Sequence, residues 1–95
     1  KPVIRFYFNL KPNKDGVNEF FTIEGIENFP ENELTIFNRW GNKVFEAAPY
    51  ENNWGGSSEF GITIGGNELP VGTYFYILDL GNGEDPIKNY IYLNK

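Results

Sequence analysis

Two strand-like runs, 33–39 and 43–47, flank Trp40-Gly41-Asn42, and this pattern constrains the fold more than any other in the chain. Glycine takes positive φ without Cβ strain, so Gly41-Asn42 suits a two-residue type I′ or II′ turn. With Trp40 opposite Lys43, Arg39 faces Val44, Asn38 faces Phe45 and Ile36 faces Ala47. Leu34, Ile36, Phe45 and Ala47 then share one face, and Arg39 approaches Glu46 diagonally on the other. A slip by one residue would exchange the two faces.

The remaining chain repeats the theme of short strands and breaks. Residues 3–8, 20–24, 73–80 and 86–94 are rich in β-branched and aromatic residues and read as strands. Asn9 to Glu19, Gly25 to Asn32 and most of Glu46 to Asn67 read as connections, with a possible short strand at 60–64. Leu69-Pro-Val-Gly72 reads as a type I turn, with Pro70 second and Gly72 fourth. No segment carries a helical period and none repeats. The expected fold is all-β, a sandwich of about seven antiparallel strands.

Composition removes several function classes. The 95 residues form one domain with a modest core, in which 18% aromatic residues supply much of the burial. Net charge is −5, which excludes the basic clusters that nucleic acid and anionic membrane surfaces require. There is no Cys, hence no disulfide or thiolate chemistry, and no His, hence no imidazole base or His-based zinc site. No run is apolar enough to span a membrane as a helix, so no direct membrane insertion is expected. The chain contains no Met and no signal peptide, and reads as a piece of a longer polypeptide. Carboxylates such as Glu31, Glu33, Glu84 and Asp85 lie in connections without a cleft; they read as solvated surface, not as a glycosidase pair, and no catalytic residue is assigned.

Two motifs carry candidate binding chemistry. In Asn13-Lys-Asp-Gly-Val-Asn-Glu19, oxygen side chains at Asn13, Asp15, Asn18 and Glu19 surround a glycine. That suits an Asx-rich turn, the favoured role, and also a Ca²⁺ loop similar to half of a thrombospondin-type repeat. No other cofactor is expected. Trp40 and Trp54 each precede a glycine; a structural role under a tight turn is favoured over sugar stacking. In the last two strands, setting Tyr76 opposite Tyr92 places Tyr74, Tyr76, Tyr90 and Tyr92 on a partly wet face and Phe75, Ile77, Ile91 and Leu93 in the core. Those tyrosines read either as covered cross-strand pairs or as a docking platform.

The fragments also resemble one family in order. They are Phe8-Asn-Leu-Lys-Pro-Asn-Lys-Asp-Gly-Val-Asn-Glu-Phe20, Gly25-Ile-Glu-Asn-Phe-Pro30, Leu34 to Phe45, Tyr50, Asn53-Trp-Gly-Gly56, Leu69-Pro-Val-Gly-Thr-Tyr-Phe-Tyr76 and Tyr90-Ile-Tyr-Leu-Asn-Lys95. Together they are similar to the gliding-motility-associated C-terminal domain, the type B sorting domain of type IX secretion in Bacteroidota. Lys14 replaces the family's usual Gly, Glu19 its Asp and Gly55 its Asp, and residues 58–67 run longer than usual.

The resemblance implies an immunoglobulin-like sandwich and a non-catalytic C-terminal targeting domain, residues 1–95, cut from a surface or secreted protein such as a gliding adhesin. It implies recognition by type IX translocon components and a PorP/SprF-like outer-membrane protein. Cargo would pass the periplasm and outer membrane to the cell surface or the extracellular space. The residues expected to be recognised are Arg39, Trp40, Gly41, Asn42 and Lys43 at the hairpin, with Tyr90, Tyr92, Asn94 and Lys95 at the end of the chain. The rival reading is an extracellular adhesive or carbohydrate-binding Ig-like module.

Overall fold

The computed structural model describes residues 4–7, 9–10, 20–56 and 69–94. Among these residues there are seven strands: β1 (Arg5–Tyr7), β2 (Asn9–Leu10), β3 (Thr22–Glu24), β4 (Glu33–Phe37), β5 (Lys43–Ala47), β6 (Gly72–Asp79) and β7 (Ile87–Leu93). A 3-10 turn, Ile26–Asn28, follows β3. Strands β1 and β3 form a two-stranded sheet, and a five-stranded sheet runs β2-β7-β6-β4-β5. The small sheet lies across the inner face of the large one, giving the expected all-β sandwich. One pairing departs from the antiparallel expectation: β2 runs parallel to β7, with Asn9 beside Tyr92 and Leu10 beside Leu93. Two residues carry no periodicity, so this strand reads as loop in the sequence.

The core is aromatic. Phe21, Ile23, Leu34, Ile36, Leu78, Ile91 and Leu93 are fully buried. Phe6 of β1 stacks on Tyr76 of β6 at 5.5 Å between centroids. Phe45 meets Tyr50 edge-on at 5.9 Å, and Trp54 meets Tyr74 at 5.9 Å. Edge and tilted contacts of this kind add stabilisation beyond burial alone.

The segment 48–56 contains no strand or helix, yet it enters the core. Tyr50 donates its hydroxyl to the Phe21 carbonyl at 2.5 Å and accepts the Trp54 N–H at 3.0 Å. Phe21 N–H returns a bond to the Trp54 carbonyl at 2.8 Å, and Ile23 N–H reaches Asn52 Oδ1 at 2.8 Å. Asn32, also buried, accepts the Tyr50 N–H at 2.9 Å and donates to the Phe29 carbonyl at 2.8 Å. Buried backbone and amide groups are thereby satisfied without a ladder. Gly56 sits at φ 93°, where a Cβ would come 2.9 Å from Leu93 Cδ1, so glycine is required for the chain to pass over β7.

Tyr74 turns the chain into β6. Its hydroxyl donates to the Pro70 carbonyl at 2.6 Å, four residues upstream. This is the tyrosine-corner arrangement of Greek-key sandwiches. It fixes Tyr74 inward, and with it Tyr76 and Leu78.

The final hairpin therefore has the opposite sidedness to that expected. Tyr74 pairs with Ile91, Phe75 with Tyr90 and Tyr76 with Asn89. The offset from the expected register is odd, so the faces exchange. Tyr74 and Tyr76 are buried with Ile91 and Leu93, whereas Phe75 turns outward beside Tyr90 and Tyr92. The β4–β5 hairpin is also shifted, but by two residues: Ile36 faces Phe45 and Leu34 faces Ala47. An even shift preserves the apolar face. The cause is Asn38, whose side-chain oxygen accepts the N–H groups of Trp40 at 3.0 Å and Asn42 at 2.9 Å. This Asx-type turn widens the expected two-residue loop to Asn38–Asn42, closed by Asn38 N–H to Asn42 O at 2.9 Å. A bulge then leaves Val44 as the extra residue, buried beside Phe45.

Burial raises the Tyr50 phenol well above its ordinary value, with the Trp54 N–H opposing, and pushes that of Tyr76 up to about 12. The folded state favours the neutral phenols. Stability is complete below the ordinary value of about 10 and is lost as pH rises through the raised ones. A urea midpoint that stays level to about pH 9 and then falls towards pH 12 is the expected outcome; Tyr76→Phe should flatten part of that fall, and a level profile to pH 12 would contradict it. Tyr50→Phe strands the Phe21 carbonyl and the Trp54 N–H in the core. It should cost about 1–3 kcal/mol, a fall in Tm of roughly 5–20 °C, measurable by differential scanning calorimetry.

Candidate functional site

The outward side of the five-stranded sheet is the surface on which distant candidate residues meet. Across β5, β4, β6 and β7, one row reads Lys43, Phe37, Phe75, Tyr90, and the next reads Glu46, Thr35, Ile77, Lys88. Phe75 and Tyr90 are tilted partners with centroids 5.2 Å apart. Beyond Tyr90 on the same face, Tyr92 lies opposite Thr73 and beside β2. Tyr90 and Tyr92 are 57% and 46% exposed, too much for a covered pair. Strand β6 alternates inward and outward along most of its length, which is why one strand serves both core and surface.

The hairpin tip overhangs this face. Gly41 takes φ 84°, which lets the five-residue loop close. Trp40 is 70% exposed, so the structural role expected for it belongs to Trp54 alone, which is 1% exposed. The Arg39 guanidinium lies 4.4 Å from the Trp40 ring centroid, a cation–π contact, instead of approaching Glu46. Glu46 is taken by Lys43 at 3.2 Å, an exposed pair screened by solvent.

Between the tip and the sheet lies a groove of about 550 Å³. Its lining includes Arg39 and Gly41 from the tip, Phe37 and Phe75 from β4 and β6, Ile77, and Lys88 and Tyr90 from β7. A smaller recess of about 90 Å³ separates Arg39 and Trp40 from Val71 and Tyr74. The Tyr74 phenol is raised by burial, and the positive charge of Arg39 pulls it part of the way back.

The structure thus brings Arg39, Gly41 and Tyr90 into one groove. Trp40 and Asn42 are exposed on its tip, Lys43 and Tyr92 are exposed on the same sheet, and Asn94 is exposed at the end of β7. Lys95 lies outside the described residues, as do Asn13, Asp15, Asn18 and Glu19 of the possible calcium loop. Phe37, Phe75, Ile77 and Lys88 complete the groove but are absent from the sequence-based set. Alternation along β6 was the signal for Phe75 and Ile77; it needed the correct parity to be read.

Among the described residues no group of three His, Cys, Asp or Glu side chains stands close enough to hold a metal ion. The clear proton-affinity shifts among them are those of Tyr50, Tyr74 and Tyr76, all upward and all tied to burial. No helix among the described residues is long and apolar enough to cross a membrane.

No curated protein and no solved structure matched the chain. The family model described as the CHU_C type IX secretion signal domain matches residues 4–93, nearly the whole chain. The chain belongs to that family: it is a secretion-targeting domain, recognised by the type IX machinery and directing export toward the cell surface or beyond it.

Proposed function

We propose that the type IX machinery reads this domain as a folded surface, through the hairpin tip and the outward side of the five-stranded sheet. The observation that carries this reading is the meeting of Arg39 and Gly41 with Tyr90. These residues are remote in sequence and line one groove only when β4, β6 and β7 are paired. Around it, large side chains stay in water: Trp40, Tyr90 and Tyr92 expose about half or more of their area. Such residues are the usual anchors of protein interfaces. The partner we infer is a PorP/SprF-like outer-membrane protein, with the cargo a surface or secreted protein of a gliding bacterium. The domain itself needs no catalytic residue for this role.

A reporter tests it. A signal peptide, a fluorescent protein and residues 1–95 are fused and expressed in a gliding Bacteroidota host, with the matching partner supplied, and in a strain without the translocon. Reporter outside the competent strain only is the expected result. Periplasmic reporter in both strains, with the partner present and the domain folded, would leave a binding module or a passive Ig-like spacer as the better account. In the same assay, Arg39→Ala and the double change Tyr90→Ser with Tyr92→Ser should each lower export by roughly tenfold or more. The domain should remain folded by circular dichroism, because each lost cross-strand pair costs only about 0.2–1 kcal/mol. Normal export of both variants would remove this face from the recognition surface.

A further inference from the structure

Resting on the reading of this face as the recognition surface, we infer that the groove takes an acidic–aromatic segment of its protein partner. Such a segment carries carboxylates flanking an aromatic or long aliphatic side chain. The floor is apolar: Phe37, Phe75, Ile77 and Tyr90 supply it. Arg39 and Lys88 contribute the charge, and the lining contains no acidic residue. That is unusual for a chain with 13 acidic and 8 basic side chains and a net charge of −5. Neither cation is in an ion pair among the described residues; the salt bridge on this sheet is Lys43 with Glu46.

The same face is acidic at its far end, where Glu33 pairs with Asp79. The sheet surface is therefore polarised along its strands. An incoming carboxylate is repelled from the Glu33–Asp79 end and drawn toward Arg39 at the other, with Lys88 midway, opposite Ile77 and one row from Asp79. Arg39 is suited to hold a carboxylate, because its planar fork offers paired donors and its stacking on Trp40 pre-orients it. An apolar floor next to the cations lowers the local dielectric and strengthens that contact.

Other occupants fit less well. Nucleic acid would meet two cations on a chain that repels it overall. A sugar would lack a flat platform, since the Phe75 and Tyr90 rings are inclined at 54°.

The test uses the ¹⁵N-labelled 95-residue chain and three synthetic heptapeptides. One is acetyl-Gly-Asp-Trp-Glu-Phe-Asp-Gly-amide; the second has lysines in place of its acids; the third has alanines in place of its aromatics. The first should shift the amides of Phe37, Phe75, Ile77, Lys88 and Tyr90 at up to millimolar concentration, and more weakly as salt rises. The other two should not. Lys88→Glu should weaken binding about tenfold or more, and Lys88→Gln by less. Binding of the lysine peptide, shifts elsewhere, silence at millimolar peptide, or self-dilution shifts at these same amides would each overturn the inference. Export separates this from the sorting reading. A wild-type reporter that is exported alongside an equally exported Lys88→Glu reporter sinks the acidic occupant and leaves sorting intact; a wild-type reporter that stays in the periplasm sinks both.

Discussion

The hydroxyl of Tyr50 is the point on which the two sheets depend. A two-stranded sheet such as β1–β3 is not stable by itself in water. It is held over the large sheet by a segment that has no regular structure. Tyr50 stands in that segment and bonds at once to the β3 side, through the Phe21 carbonyl, and to its own chain, through the Trp54 N–H. Trp54 then packs on Phe45 of β5 and Tyr74 of β6. The connection thus works as a central layer: it joins β3 by hydrogen bonds and the large sheet by ring contacts. Its last residue, Gly56, accepts the Leu69 N–H at 2.8 Å, which fixes where the chain re-enters for β6.

From that re-entry follows the part of the fold that sequence could not decide. The positions of most strands were legible, because β-branched and aromatic runs between Gly, Pro and Asn breaks mark them. The sidedness of β6 and β7 was not. Both strands are apolar at odd and even positions, so a period of two offers no choice of parity. The choice is made by nonlocal chemistry: Tyr74 can satisfy its hydroxyl on Pro70 while its ring meets Trp54, and only inward orientation does both. Strand β4 shows the contrast. Leu34 and Ile36 alternate with Glu33, Thr35 and the half-buried Phe37, so the inward face was readable even though the turn was not. There the register error arose from Asn38, a residue whose competing side-chain bonds do not show in hydrophobic patterning.

The same division holds for the site. Arg39 to Asn42 were legible because a glycine-containing hairpin tip with a tryptophan is a local signal. Tyr90 and Tyr92 were legible as an apolar excess at the end of the chain. Their meeting was not, since it depends on β4 lying beside β6 and β6 beside β7. Lys88 was invisible for a related reason: a lone lysine in a strand is ordinary surface until its neighbours across the sheet are known. The oxygen-rich run 13–19 stays as the sequence presents it, an Asx-rich turn or a calcium loop.

A signal that acts by being bound faces a physical conflict. It must keep aromatic area in water for its partner, and exposed sheet faces and edges invite association with the wrong partners. The outward face resolves this with charge. Lys43 and Lys88 stand in or next to the aromatic row, Glu46 lies beside Lys43, and the far end carries Glu33 and Asp79. Flat stacking of two such faces with their strands in the same direction would oppose like charges, and the bulge at Val44 twists β5. The fold separates the two demands by the pleat. Inward residues of β6 and β7 hold the sandwich together, while the residues between them are free to carry recognition. A change at Tyr90 therefore leaves the core in place, and a change at Tyr76, one residue along β6 from Tyr90's partner Phe75 and on the opposite face, acts on stability first.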